Sequence, residues 1–156
     1  MKAMIFAAGL GTRLKPFTDN HPKALAIVNG KPLLQRNIEY LKSFGIDEIV
    51  INVHHFADQI IEFLEENNYF GIEIIISDET DQVLETGGGL VKAKANFDED
   101  FLVMNVDILT DLNLAEFIKA HQENKAIVSL AVSDRDSSRK LFFNEQNELK
   151  GWRNLK

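Results

Sequence analysis

Short apolar runs alternate with segments of helical period from residue 2 to residue 132, and few architectures accommodate that alternation. Residues 2–8, Glu48 to Val53, Ile72 to Ser77, Phe101 to Val106 and Ala126 to Val132 are β-branched or aromatic and mostly apolar at successive positions. That pattern predicts five strands buried on both faces, as in a parallel sheet. Between them Leu34, Ile38, Leu41 and Phe44 recur at helical spacing, with Gly45 placed to end the helix. Phe56, Ile60, Phe63 and Leu64 mark a second helix, residues 87–95 a short third, and Leu114 to Glu123 a fourth. Asn113 and Glu116 stand at capping-box spacing before that last helix. The order βαβαβαβαβ predicts an α/β fold, a three-layer α/β/α sandwich with right-handed crossovers and ligands at the carboxyl ends of the strands.

Beyond residue 133 the pattern changes. Ser133 to Lys140 is polar, and the segments Leu141 to Phe143 and Glu148 to Trp152 flank the polar turn Asn144 to Asn147, which predicts a β-hairpin. Trp152 is either a sugar platform or a packing residue of the hairpin, and packing is the simpler expectation. The chain reads as one domain, an α/β core over 1–132 followed by the hairpin over 133–156.

The first strand feeds Gly9-Leu10-Gly11-Thr12-Arg13-Leu14, then Lys15-Pro16, then Pro22-Lys23-Ala24-Leu25. Glycines let backbone N–H groups approach phosphate oxygens, and Arg13 and Lys23 would neutralise charge that the backbone alone cannot. An ordinary surface loop with two solvated cations is the plain alternative. Two familiar phosphate loops do not fit. A Walker loop needs Lys-Ser or Lys-Thr after its second glycine, where this chain has Thr12-Arg13. The dinucleotide fingerprint needs glycine at position 14, which is Leu14.

The pattern GxGTRL…P…PKAL resembles the signature of the sugar-1-phosphate nucleotidylyltransferases. The resemblance implies their Rossmann-like fold, with the loop over the phosphates of a nucleoside triphosphate. Ala8, Gly9, Gly11 and Thr12 would then line the nucleotide, Arg13 would grip the departing pyrophosphate, and Lys23 would contact phosphate. Asn105-Val106-Asp107 resembles the family's N-G-D segment, with Val106 where glycine is frequent. The resemblance makes Asp107 a ligand of Mg²⁺, a cation that takes one or two carboxylates together with phosphate oxygens and water. Read alone, Asp107 is equally a turn aspartate at the end of a strand.

Glu85-Thr86-Gly87-Gly88-Gly89 resembles a segment of the branch that contains the N-acetylmuramate-1-phosphate uridylyltransferases and the mannose-1-phosphate guanylyltransferases. Glu85, Thr86, Gly87 and Gly88 are thereby implied to contact the nucleoside, partly through backbone atoms; a flexible glycine turn before the helix is the alternative. His54-His55 follows the second strand, and adjacent residues of an extended chain point apart, so the pair suits a structural or base-lining role better than a metal site.

Charge is distributed to match. The net charge is −7, which argues against a nucleic-acid binder, yet residues 1–42 carry seven Lys/Arg against two Asp/Glu. Without cysteine there is neither a disulfide nor a thiolate metal site. No apolar run nears ~20 residues, and Gly9 and Arg13 interrupt the first one, so neither a membrane span nor a signal peptide is expected and a cytoplasmic enzyme is the default. By resemblance the activity is transfer of a nucleotidyl group from an NTP, UTP or GTP in particular, to a sugar 1-phosphate, with release of pyrophosphate. Family members run longer, and their later segment supplies sugar contacts and a second metal carboxylate. Two further readings stay open: a nucleotide-binding regulatory module without turnover, and a cytidylyltransferase acting on phosphocholine. Incompletely covered sheet faces would favour a homo-oligomer.

Overall fold

The structure, a computed structural model, describes residues 1–155. The chain divides into two compact units, Met1–Leu112 and the residues from Asn113 on. Unit one is built on four parallel strands, β1 (Lys2–Phe6), β4 (Glu48–Val53), β5 (Glu73–Asp78) and β6 (Phe101–Asn105), in the spatial order β5-β4-β1-β6. A small antiparallel ladder, β2 (Ile27–Val28) with β3 (Lys31–Pro32), precedes the first helix. The connecting helices are α1 (Leu33–Ser43), α2 (Ala57–Glu66) and α3 (Glu85–Ala93).

The strand order fixes the layers. The crossovers β1-α1-β4 and β4-α2-β5 advance in one direction, so right-handed connections place α1 and α2 on one face. From β5 the chain passes back beyond β1 to β6, and that reversal puts α3 on the opposite face. Met4, Val50 and Ala93 form a core on the α3 side, with Phe6, Ile75, Leu90 and Phe97 packed around it. The alternate strand residues Ile5, Ile49, Ile51 and Val53 are fully buried, as are Leu34 and Ile38 of α1 and Ile60 and Leu64 of α2. Burial on both faces explains why β1 and β4 read as continuous apolar runs. The two-sided burial expected of every strand does not hold at the edge strand β6, where Val103 is exposed.

The first strand is shorter than expected. It ends at Phe6 rather than at residue 8, because the amides of Ala7 and Ala8 leave the ladder and donate to the Asn52 side chain. The third helix runs from Glu85 to Ala93, two residues ahead of the expected 87–95 at both ends, so Gly87 to Gly89 are helical and the alternative of a glycine turn before the helix does not hold.

In unit two, α4 (Leu114–Asn124) begins at Asn113, whose Oδ1 accepts from the amides of Ala115 and Glu116, the cap its sequence predicts. The hairpin forms as expected from β7 (Arg139–Phe143) and β8 (Leu149–Asn154), antiparallel, with an irregularity between Phe142 and Phe143. Trp152 is 68% exposed, so the packing role expected of it does not hold. The expected fifth strand over 126–132 is also absent: Ile127 is 98% exposed and the segment joins no ladder among the described residues. A strand exists through its hydrogen-bonded neighbours, and strand preference without a ladder leaves the backbone groups in water. The parallel sheet therefore has four strands, not five. No helix among the described residues is long and apolar enough to cross a membrane.

Candidate active site

The chain reverses its direction of travel at β1, between β4 on one side and β6 on the other, and that switch point is where open α/β sheets hold ligands. The loop after β1 and the loop after β6 both emerge there. Two residues far apart in sequence meet as a result: Lys23 Nζ lies 2.9 Å from Asp107 Oδ2, both side chains partly exposed.

The glycine loop is held from beneath. Gly11 sits at φ +64°, in the left-handed region, and a Cβ there would come within 2.8 Å of Thr18 Cγ2 and 3.0 Å of Lys23 Cβ. Glycine is required at this position for both reasons. The buried Thr18 donates through Oγ1 to the Gly11 carbonyl at 3.0 Å, and the Leu14 amide donates to the same oxygen at 2.8 Å. Thr12 and Arg13 occupy the single 3-10 turn that follows, both exposed, and Arg13 forms no ion pair among the described residues. Gly9 is exposed on the way into the loop, and a Cβ on it would lie 3.9 Å from Lys23 Nζ. Ala8, Gly9, Gly11, Lys23 and Asp107 are thus gathered at one end of the sheet.

The loop bearing Asp107 is anchored as firmly. The Val106 amide donates to the Phe6 carbonyl at 3.1 Å, one step beyond the ladder, and the Ile108 amide closes a turn onto Asn105. From α1, the buried Asn37 donates through Nδ2 to the Val106 carbonyl at 2.8 Å, and the Tyr40 hydroxyl donates to the Leu112 carbonyl. Burial, with the Asp111 carboxylate adding to it, holds the Tyr40 phenol above its ordinary pKa.

Glu85, Thr86, Gly87 and Gly88 form the first turn of α3, past the carboxyl end of β5, and all but the half-buried Gly88 are exposed. Glu85 has φ +58°, a conformation that disfavours a side chain. His54 points its Nδ1 to the Glu79 carbonyl at 2.6 Å while the His55 ring lies tilted against that of Phe56, so the two imidazoles are separately engaged. Four supporting residues went unread in the sequence: Thr18, Asn37, Asn52 and Glu79. Asn52 carried a signal, as the single polar side chain inside the apolar run Ile49 to Val53.

The described residues hold no group of three or more His, Cys, Asp or Glu side chains able to cage a metal ion. Asp107 offers one carboxylate, which suits Mg²⁺ only as a cation shared with phosphate oxygens and water.

The candidate site is thus a glycine loop with two cations and a carboxylate at the switch point of an open parallel α/β sheet, the place where such sheets hold ligands. The chain belongs to the nucleotidyl transferase family, which matches it over residues 2–141. It is 36% identical over 141 residues to a UTP–glucose-1-phosphate uridylyltransferase of Synechocystis, an alignment covering 83% of this chain and 36% of the relative. It is 42% identical over 132 residues to the N-acetylmuramate alpha-1-phosphate uridylyltransferase of Neisseria meningitidis, covering 78% and 57%. The chain therefore spans between about a third and three fifths of the curated relatives' length. Among solved structures, HddC from Yersinia pseudotuberculosis in complex with GMP-PN superposes with a TM-score of 0.77 at 25% identity, covering 97% of this chain and 68% of that one. The CTP:phosphocholine cytidylyltransferase LicC of Streptococcus pneumoniae matches at 36% identity with a TM-score of 0.59, over 72% and 47% of the two chains.

Proposed function

We propose that this chain carries the nucleotide half of a sugar-1-phosphate nucleotidyltransferase, which moves a nucleoside monophosphate from UTP or GTP onto a sugar 1-phosphate. The observation that carries the reading is the Lys23–Asp107 pair at the switch point, beside the Gly9–Gly11 loop. In the reaction a phosphate oxygen of the sugar phosphate attacks the α-phosphorus, a P–O bond forms, and the bond to pyrophosphate breaks. No protein nucleophile is needed, so the residues act by aligning and neutralising charge.

Backbone amides of Ala8 to Thr12 line the triphosphate, Arg13 takes charge on the leaving pyrophosphate, and Lys23 contacts a phosphate oxygen. Glu85 to Gly88 receive the nucleoside. Asp107 would hold a Mg²⁺ ion together with phosphate and water, and such an ion withdraws charge from phosphoryl oxygens. The uridylyl- and guanylyltransferase names of the relatives support the sugar-phosphate acceptor and the choice of UTP or GTP. The cytidylyltransferase reading has the similarity to LicC in its favour, over a smaller share of the chain.

A pyrophosphate-release panel tests this reading: UTP, GTP, CTP, ATP and dTTP against glucose, mannose and N-acetylmuramate 1-phosphates and phosphocholine, each with Mg²⁺. Turnover is expected with a sugar 1-phosphate and UTP or GTP. Arg13→Ala and Asp107→Ala should each lose about a hundredfold or more in turnover, ~3 kcal/mol in activation free energy, without a shift in melting temperature. Undiminished pyrophosphate release in both variants removes these residues from the mechanism.

A further inference from the structure

Two polar residues are buried behind the glycine loop. Asn52, near the end of β4, is 2% exposed, and Glu79, just past β5, is 1% exposed. A carboxylate buried this far is costly unless its oxygens are engaged, so its contacts indicate its purpose. Glu79 Oε1 accepts from Asn52 Nδ2 at 2.9 Å, and Oε2 accepts from the Leu84 amide, the residue before α3, at 3.4 Å. Asn52 Oδ1 faces the other way and accepts from the amides of Ala7 at 2.7 Å and Ala8 at 3.3 Å, where the chain leaves β1 for the glycine loop. Gly89 seats α3 on the pair: a Cβ there would come within 2.6 Å of Glu79 Oε1 and 2.9 Å of Asn52 Nδ2.

A carboxamide has a donor end and an acceptor end, and only one orientation lets Asn52 serve Ala7 and Ala8. A carboxylate only accepts, so Glu79 draws Nδ2 toward itself and leaves Oδ1 for the loop. The reversed amide would set oxygen against carboxylate and NH₂ against two N–H groups. We propose that Glu79 is a positioning residue of the nucleotide site: it orients Asn52 under the phosphate loop and ties that loop to the start of α3. The inference rests on the reading above, in which the loop holds phosphates and Glu85 to Gly88 hold the nucleoside.

The test compares Glu79→Gln, Asn52→Asp and the double variant with the wild-type chain. Asn52→Asp opposes two carboxylates, whereas the double variant restores a donor–acceptor pair of reversed polarity and still offers an oxygen to Ala7 and Ala8. The first readout is amide hydrogen exchange at Ala7, Ala8 and Leu84, normalised to Met4 and Ile5 in the same sheet. The second is the dissociation constant for UTP and for GTP by calorimetry. Asn52→Asp is expected to speed exchange at Ala7 and Ala8 about tenfold or more and to weaken nucleotide binding about tenfold, and the double variant to recover most of both changes. Glu79→Gln is the milder substitution and guards against a variant that does not fold; it should shift Leu84 first.

Exchange that rises equally at Met4 and Ile5, with unchanged affinity, would make the pair a packing feature and overturn the proposal. A double variant no better than Asn52→Asp overturns it as well. If the wild-type chain binds neither UTP nor GTP, the functional reading fails separately, and the exchange pattern still decides whether Glu79 orients the loop.

Discussion

Residues 1–112 and the residues that follow use similar amino acids to opposite effect. Among the described residues, every apolar side chain that is fully buried, and every proposed site residue, belongs to the first unit; of the second, Leu114 alone ranks with the buried core. Ile51 and Ile127 sit in apolar runs of comparable strand character, yet Ile51 is fully buried between β1 and β5 while Ile127 is almost fully exposed. Strand character in a sequence is therefore an offer that neighbouring strands must accept. The proposed site follows the same line, since the loops that form it spring from β1, β5 and β6, strands held in the ladder.

The largest test of this contrast is a pair of truncations. Ile51→Ala should destabilise the chain by about 3 kcal/mol through lost burial and a residual cavity, whereas Ile127→Ala should stay within about 0.5 kcal/mol. Urea unfolding of the two variants reads both values, and equal losses would end the distinction. Smaller but closer to the site, Gly11→Ala should cost about 1–3 kcal/mol, because a side chain at φ +64° meets Thr18 and Lys23. Calorimetric melting measures it, and a neutral result would mean the loop is not held by those contacts.

The smallest effect concerns pH. The folded state raises the Tyr40 pKa above its ordinary value, so this contribution is complete below about pH 10 and is lost as pH rises through the folded-state value. Tyr40→Phe should remove that alkaline slope from the stability profile. An identical slope in the variant would assign it to another group.

β1 and β4 are legible because both of their faces are buried, which writes an uninterrupted apolar run into the sequence, whereas the edge strands β5 and β6 show through their β-branched and aromatic residues although they are only partly covered. The glycine loop and Asp107 stand out in the sequence through their resemblance to the family's motifs, and Asp107 read alone is equally a turn aspartate. Their meeting across the switch point was not legible, because strand order is a property of three dimensions. Asn52 and Glu79 escaped for a related reason: each alone reads as a polar interruption, and only their mutual contact gives either a purpose. The expected start of α3 at residue 87 falls two residues late, since Glu85 enters the helix at φ +58°, beside a Leu84 amide held by the distant Glu79, and neither feature is written in the local sequence. The segment 126–132 was overread because its composition states a preference and says nothing of a partner.

The strand order also sets a sequence of events during synthesis. β4 and β5 can add to β1 on one side as soon as they leave the ribosome, but β6 must return past β1 to its other edge. Lys23 consequently waits for most of the first unit to be made before Asp107 arrives beside it. A nascent chain halted before β6 has its glycine loop without the carboxylate, so under the proposed function full nucleotide affinity should emerge only late, as a reporter that the last parallel strand has docked.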